Sequence, residues 1–153
     1  YQALHFFNKA VKLNSQNADY WKAAAHAEFK IGNTISAISA YEEASHLGPE
    51  DKEIWLNWSF IYYERGEYDK AVDVMLQGMA EIADEPEFFY RISVYLIEAG
   101  KFKEAFSYLE NGLILNFEGH TVLLIFFKNL KHKRLFTRSS INLEKITLHE
   151  LHA

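Results

Sequence analysis

Large apolar residues recur along this chain at helical spacing. Trp55, Trp58, Ser59 and Tyr62 stand at successive offsets of three, four and seven, and Phe89, Ile92, Ser93 and Leu96 repeat the arrangement. Each quartet lies on one stripe of an α-helix. A single glycine follows each stripe, Gly66 and then Gly100, where the chain has to turn tightly with positive φ. A second helical run comes next, built on a small, a bulky and a small residue: Ala71, Met75 and Gly78 in the best-formed case. The small residues let two helices approach closely, and the bulky one fills the space between neighbouring pairs. The spacing predicts helices over 2–14, 19–31, 34–47, 52–65, 68–82, 86–99, 102–115 and 120–132, and allows a shorter one near 141–151.

The pattern itself repeats. Gly32, Gly66 and Gly100 are 34 residues apart, as are Ala3, Ala37, Ala71 and Ala105. Three further columns keep the same register: Phe7, Tyr41, Met75, Leu109; Ala10, Ala44, Gly78, Gly112; and Trp21, Trp55, Phe89, Leu123. Five aligned columns at one period mark a helical-repeat architecture, in which no single repeat can bury its own apolar face and the stack is stable as a set. Pro49 closes the first complete unit.

On these residues the sequence resembles the tetratricopeptide repeat family, whose unit carries a W-x2-L-G-x2-Y, A-x3-F, P pattern. Complete repeats fall at 18–51, 52–85 and 86–119. Residues 1–17 match a second helix alone. Residues 120–153 begin a fourth first-helix and then lose the pattern, as a degenerate repeat and C-terminal cap or tail. There are departures: Glu28 stands where an aromatic is usual, Ser59 and Ser93 replace a glycine, and Ala83 and Phe117 replace the closing proline. The resemblance implies an all-α fold, a right-handed superhelical stack of antiparallel helix hairpins forming one repeat domain over 1–153. It also implies a function, that of a non-enzymatic scaffold whose groove holds a peptide or a segment of a partner protein.

Composition changes this picture little, and charge sharpens it. With 49% hydrophobic and 24% charged residues the chain falls in the ordinary globular range. The absence of cysteine excludes a disulfide framework and thiolate metal sites, and fits a reducing compartment, so a cytoplasmic location is favoured. The chain opens on Tyr1 without a secretory signal and reads as a piece of something longer. No apolar run reaches the ~18 residues that would span a bilayer. Residues 1–127 hold 10 Lys/Arg against 19 Asp/Glu, whereas 128–153 hold 6 against 2. An acidic body argues against nucleic acid as the partner, because phosphate binding needs positive surface.

In stacks of the family it resembles, the first helix of each repeat lines the groove. The groove stripe then carries Asp19, Lys22, Ala23, His26, Phe29 and Lys30 in the first complete repeat. Glu53, Leu56, Asn57, Phe60, Tyr63 and Glu64 follow in the second, and Glu87, Tyr90, Arg91, Val94, Ile97 and Glu98 in the third. An aromatic and aliphatic floor with polar edges suits an extended or helical peptide. The binding residues expected are Lys22, His26, Phe29, Asn57, Phe60, Tyr63, Tyr90, Arg91 and Val94. Some relatives clamp a partner's terminal carboxylate with Lys, Asn, Asn, Lys and Arg, and the matching places here are Lys22, His26, Asn57, Glu87 and Arg91. Lys22, Asn57 and Arg91 fit, His26 can donate one hydrogen bond, and Glu87 reverses a charge. The competing reading is that Arg91 pairs with Glu87 one turn away, and that Phe60, Tyr63 and Tyr90 are buried by the stack itself.

Other chemistry is weaker. His149, Glu150 and His152 are one residue short of a helical zinc motif and read as tail residues. Neither a metal nor a cofactor is expected. No Ser/His/Asp set and no glycine-rich phosphate loop stands out, so no catalytic residue is assigned. The basic stretch Lys128, Lys131, His132, Lys133, Arg134 and Arg138 reads first as a solvated capping face. Docking to an acidic partner or an anionic surface, and an intramolecular contact with the acidic body, are its alternatives. Two rival functions stand beside the scaffold: a homo-oligomer formed through the exposed end helices, with Phe6 and Phe7 as its apolar contact, and a regulatory arm of a larger protein.

Overall fold

The structure, a computed structural model, describes residues 2–116. The expected helices at 120–132 and 141–151, the basic stretch and the histidine pair near the C-terminus lie outside the described residues. Within them there are seven helices: α1 (Gln2–Leu13), α2 (Ala18–Lys30), α3 (Thr34–Leu47), α4 (Lys52–Glu64), α5 (Tyr68–Glu81), α6 (Pro86–Glu98) and α7 (Phe102–Leu115). Each lies within one residue of its predicted bounds.

The connections follow from the repeat. After α2, α4 and α6 the chain turns through Gly32, Gly66 and Gly100, with φ of 88°, 74° and 78°. At each turn the amide after the glycine reaches back to a helix carbonyl: Asn33 to Glu28 at 2.9 Å, Glu67 to Tyr62 at 2.9 Å and Lys101 to Leu96 at 2.8 Å. The glycine amide bonds the following carbonyl, that of Phe29, Tyr63 and Ile97 respectively. This pair of bonds satisfies carbonyls that a helix end leaves open, and only glycine adopts the required φ without strain. The next helix therefore starts at once and runs antiparallel, forming hairpins α2–α3, α4–α5 and α6–α7.

Turns between hairpins use side-chain caps instead. Asn17 accepts from the amides of Asp19 and Tyr20, Asp51 from Glu53, and Glu85 from Glu87. Trp21 and Trp55 tie these turns down by donating their indole N–H to the carbonyls of Ser15 and Pro49, each at 2.9 Å. Ala83, standing where the pattern has proline, is followed by Asp84 at φ 57° and by Pro86 in the first turn of α6. The Asp–Glu–Pro sequence thus supplies the turn by other means.

The departures from the repeat pattern are compensated locally. Ser59 and Ser93 are fully buried, and their hydroxyls donate to the carbonyls of Leu56 and Phe89. Glu28 accepts a 2.8 Å bond from the Asn33 side chain.

The chain divides into two compact units, Tyr1–Ile82 and Ala83–Ala153. In the first, α1 to α5 pack each on the next, and the core is built from Ala25, Ala37, Tyr41, Ala44, Ile54, Ile61, Ala71 and Met75. The second contains the α6–α7 hairpin, with Phe88, Ile92, Val94, Tyr95 and Leu109 buried. Ala37, Tyr41, Ala44, Ala71, Met75 and Leu109 among them are column residues of the sequence, and the rest flank the columns on the same helices.

Candidate functional site

Side chains of α2 meet those of α4 at two places in the first unit. At one, Lys22 places its Nζ 2.5 Å from Asp51 and 3.4 Å from Glu53. Asp51 caps α4 with one carboxylate oxygen and binds Lys22 with the other. The hydrogen bond to Asp51 holds the ammonium pKa above its ordinary value, and partial burial opposes this. At the second place, Phe29 of α2 meets Phe60 of α4 edge to face, with ring centroids 6.5 Å apart. The row continues from Phe60 to Tyr63 at 5.9 Å and from Tyr63 to Tyr68 at 5.8 Å. All four rings are half-buried. Such offset and edge-to-face pairs are the favoured geometries of aromatic rings.

His26 and Asn57 flank this row and are exposed. The Asn57 side chain hydrogen-bonds Tyr41, whose phenol is otherwise buried and has its pKa pushed up to about 12 by that burial. Lys22, His26, Phe29, Asn57, Phe60 and Tyr63 therefore all belong to one pair of helices and retain some access to solvent. Leu56, expected on the same stripe, is buried.

The three expected residues of α6 differ. Tyr90 and Val94 are only 2% and 0% exposed, so neither is a surface contact. Tyr90 packs its ring against Gly112 and donates its hydroxyl to the Asn116 carbonyl at 2.6 Å. Burial raises its pKa. The physical reason is that α6 is apolar on almost every side, from Phe88 through Ile97, and such a helix is a core element. Arg91 lies 3.6 Å from Glu87 one turn earlier, the intrahelical pairing that competed with the clamp. The two cations that would have held a carboxylate, Lys22 and Arg91, are thus both beside carboxylates of the chain itself.

The partner of Lys22 was not anticipated, although Asp51 directly before a helical run is a cap signal in the sequence. The Tyr41–Asn57 bond carried no such signal. Among the described residues no group of three or more ligand side chains could hold a metal ion. No helix there is long and apolar enough to cross a membrane.

Comparison with known proteins bears directly on these hairpins. The tetratricopeptide repeat model matches residues 32–90, which hold α3, α4, α5 and the turns that join them. Over those residues the chain is similar to the tetratricopeptide repeat. A TPR repeat-containing protein of Bacillus subtilis, YvcD, is 30% identical over 92 residues, covering 60% of this chain and 19% of its own length. The MamA structure superposes with a TM-score of 0.68 at 22% identity, over 78% of this chain and 65% of that one. YrrB, described as a TPR protein with an unusual peptide-binding site, superposes with a TM-score of 0.59 at 21% identity. That match covers 72% of this chain and 57% of YrrB. The chain spans 5%, 14% and 19% of the length of three curated relatives. By fold, the described residues form all-α helix hairpins like those of tetratricopeptide repeat proteins.

Proposed function

We propose that this chain is a non-enzymatic scaffold that binds a peptide segment of a partner protein across α2 and α4. The observation that carries the reading is the row of half-buried rings Phe29, Phe60, Tyr63 and Tyr68, with His26 and Asn57 exposed beside it. Partly exposed aromatic rings give contact area at small entropic loss, and neighbouring polar groups fix register. YrrB, similar in fold, is described by its peptide-binding site, which supports the class of ligand and not its sequence. A terminal carboxylate is not the expected anchor, since it would have to displace Asp51 and Glu53 from Lys22.

The test is selection of binding peptides from a random display library, followed by affinity measurement on variants. Phe60→Ala is expected to weaken the selected peptides by roughly tenfold or more, the loss of 1–2 kcal/mol typical of an aromatic anchor. Asn57→Ala should weaken them less. Peptides that bind Phe60→Ala as well as the parent would remove the α2–α4 surface from consideration.

A second reading has its own observation. On α1, Phe6 and Leu13 are 69% and 79% exposed, one helical face apart by seven residues, and such a patch marks an interaction surface. It supports an assembly role through the end helix, with Phe7 half-buried and contributing less than expected. Sedimentation of the parent and of Phe6→Asp over a concentration range decides it: self-association that Phe6→Asp abolishes supports assembly, and a monomer at all concentrations sinks it.

A further inference from the structure

Across α4 from Asn57 and Phe60, at helical spacing, stand Trp55 and Trp58. Their rings stack with centroids 5.8 Å apart and planes 26° from parallel. Both line a cavity of about 400 Å³ between α3, α4 and α5 of the first unit. Its lining includes two carboxylates, Glu42 from α3 and Glu81 from α5, together with His46 and Gln77. Glu42 and Glu81 are exposed, and neither forms an ion pair with a described residue.

A second observation is independent of this charge. Trp58 is 7% exposed, and its indole N–H is buried with no acceptor in reach. Trp21 and Trp55 both donate to a carbonyl six residues earlier. Trp58 has no such bond, and a buried donor left unmade costs about 1–3 kcal/mol. The Trp58 side chain lines the cavity while its N–H is shielded, so a bound molecule reaches that donor only if the ring moves, and the N–H signal reports such a contact.

We propose that this cavity is a second binding site that takes a basic side chain, arginine or lysine, from an extended peptide. The cation sits over the Trp55–Trp58 pair, where the ring faces attract it, and between Glu42 and Glu81, which give charge-assisted hydrogen bonds. Charge complementarity extends beyond the rim. The first unit holds seven Lys/Arg against twelve Asp/Glu, so a cationic segment is drawn toward it and an anionic one is repelled. This site shares no residue with the aromatic row on α2 and α4, and it stands whether or not that row binds anything.

The experiment is a nuclear magnetic resonance titration of the whole chain, following the indole N–H signal of Trp58, assigned by its loss in Trp58→Phe. The probes are acetyl-Ala-Leu-Arg-Leu-Ala-amide and the same peptide with glutamine for arginine. The arginine peptide is expected to shift the Trp58 signal saturably and to bind about tenfold more tightly than its glutamine twin. Glu42→Gln with Glu81→Gln should remove that preference, and added NaCl should weaken the arginine peptide alone. Lys22→Ala with Asn57→Ala should leave the titration unchanged. Equal binding of the two peptides, no saturable shift, or equal loss in the Lys22/Asn57 variant would each overturn the proposal. A Trp58 signal that moves with protein concentration alone would assign the cavity to self-association instead.

Discussion

Gly78 and Gly66 are both glycines for steric reasons, and the reasons differ. A β-carbon on Gly78 would lie 2.8 Å from the Trp55 ring, whereas one on Gly66 would meet nothing within 4 Å. Gly66 is required by its φ of 74° alone. Alanine at Gly78 gains about 1 kcal/mol of helix propensity but overpacks a buried indole, at a cost of about 1–3 kcal/mol. Gly78→Ala is therefore expected to lower the urea midpoint, and a raised midpoint would refute the packing argument. Gly66→Ala should cost about 1–2 kcal/mol through backbone strain. At the same scale, two groups make the protein sensitive to alkali. Lys22 has its pKa raised chiefly by Asp51, and Tyr41 is pushed from 10.0 to about 12 by burial. In both, the folded state holds the proton more tightly than the unfolded one. Their stabilisation is complete below the unfolded values and is lost as pH rises through the folded ones. Denaturant midpoints should fall from about pH 10 upward, and Tyr41→Phe should flatten part of that slope. An unchanged slope in Tyr41→Phe would show that this phenol does not carry it.

At the scale of the element, α6 and α7 depend on each other through Tyr90. Its ring fills the space left by Gly112, with a ring carbon 2.9 Å from where a β-carbon would stand, and its hydroxyl holds the Asn116 carbonyl just past the end of α7. Tyr90→Phe keeps the ring and deletes one hydrogen bond worth about 1 kcal/mol. Amide exchange of residues 113–116 should quicken while that of α6 core amides is unchanged. Uniform quickening throughout α6 and α7 would mean that the hydroxyl supports the whole hairpin rather than its end. Two helix starts carry a cap signal in their residues, since Asn17 and Asp51 are preferred N-cap types directly before α2 and α4, and Pro86 stands in the first turn of α6. The burial of Tyr90 and Val94 was legible too, because the run Phe88 to Ile97 offers only Arg91 as a charged residue. Reading it as one more groove stripe put family register ahead of composition.

For the molecule as a whole, stacked repeats are stabilised by each element's contacts with its neighbours. In the first unit α1 packs on α2, and α3, α4 and α5 follow in order. Deleting residues 2–13 should therefore lower the melting temperature while leaving exchange protection in α4 and α5 near that of the parent. Loss of protection at Ile54 and Ile61 in the deletion would show that cooperativity extends across the unit. The two proposed sites share α4 but no side chain: the aromatic row joins α2, α4 and Tyr68 of α5, and the cavity lies between α3, α4 and α5.

The sequence by itself determined the helices, their turns and their repeat. Those features rest on local physics: a 34-residue period of stripes, one glycine at each positive-φ turn, and caps beside the helix starts. Only the tertiary structure decided what the polar groups do. Lys22 meets Asp51 across 29 residues of chain, the Asn57 side chain meets Tyr41, and the Trp58 indole finds no acceptor where Trp21 and Trp55 find one. Periodicity fixes which side of a helix a residue lies on, because each helix follows its own backbone. Whether a charge on that side is free or held depends on a side chain from another helix, at a distance of a few ångströms that no local pattern encodes.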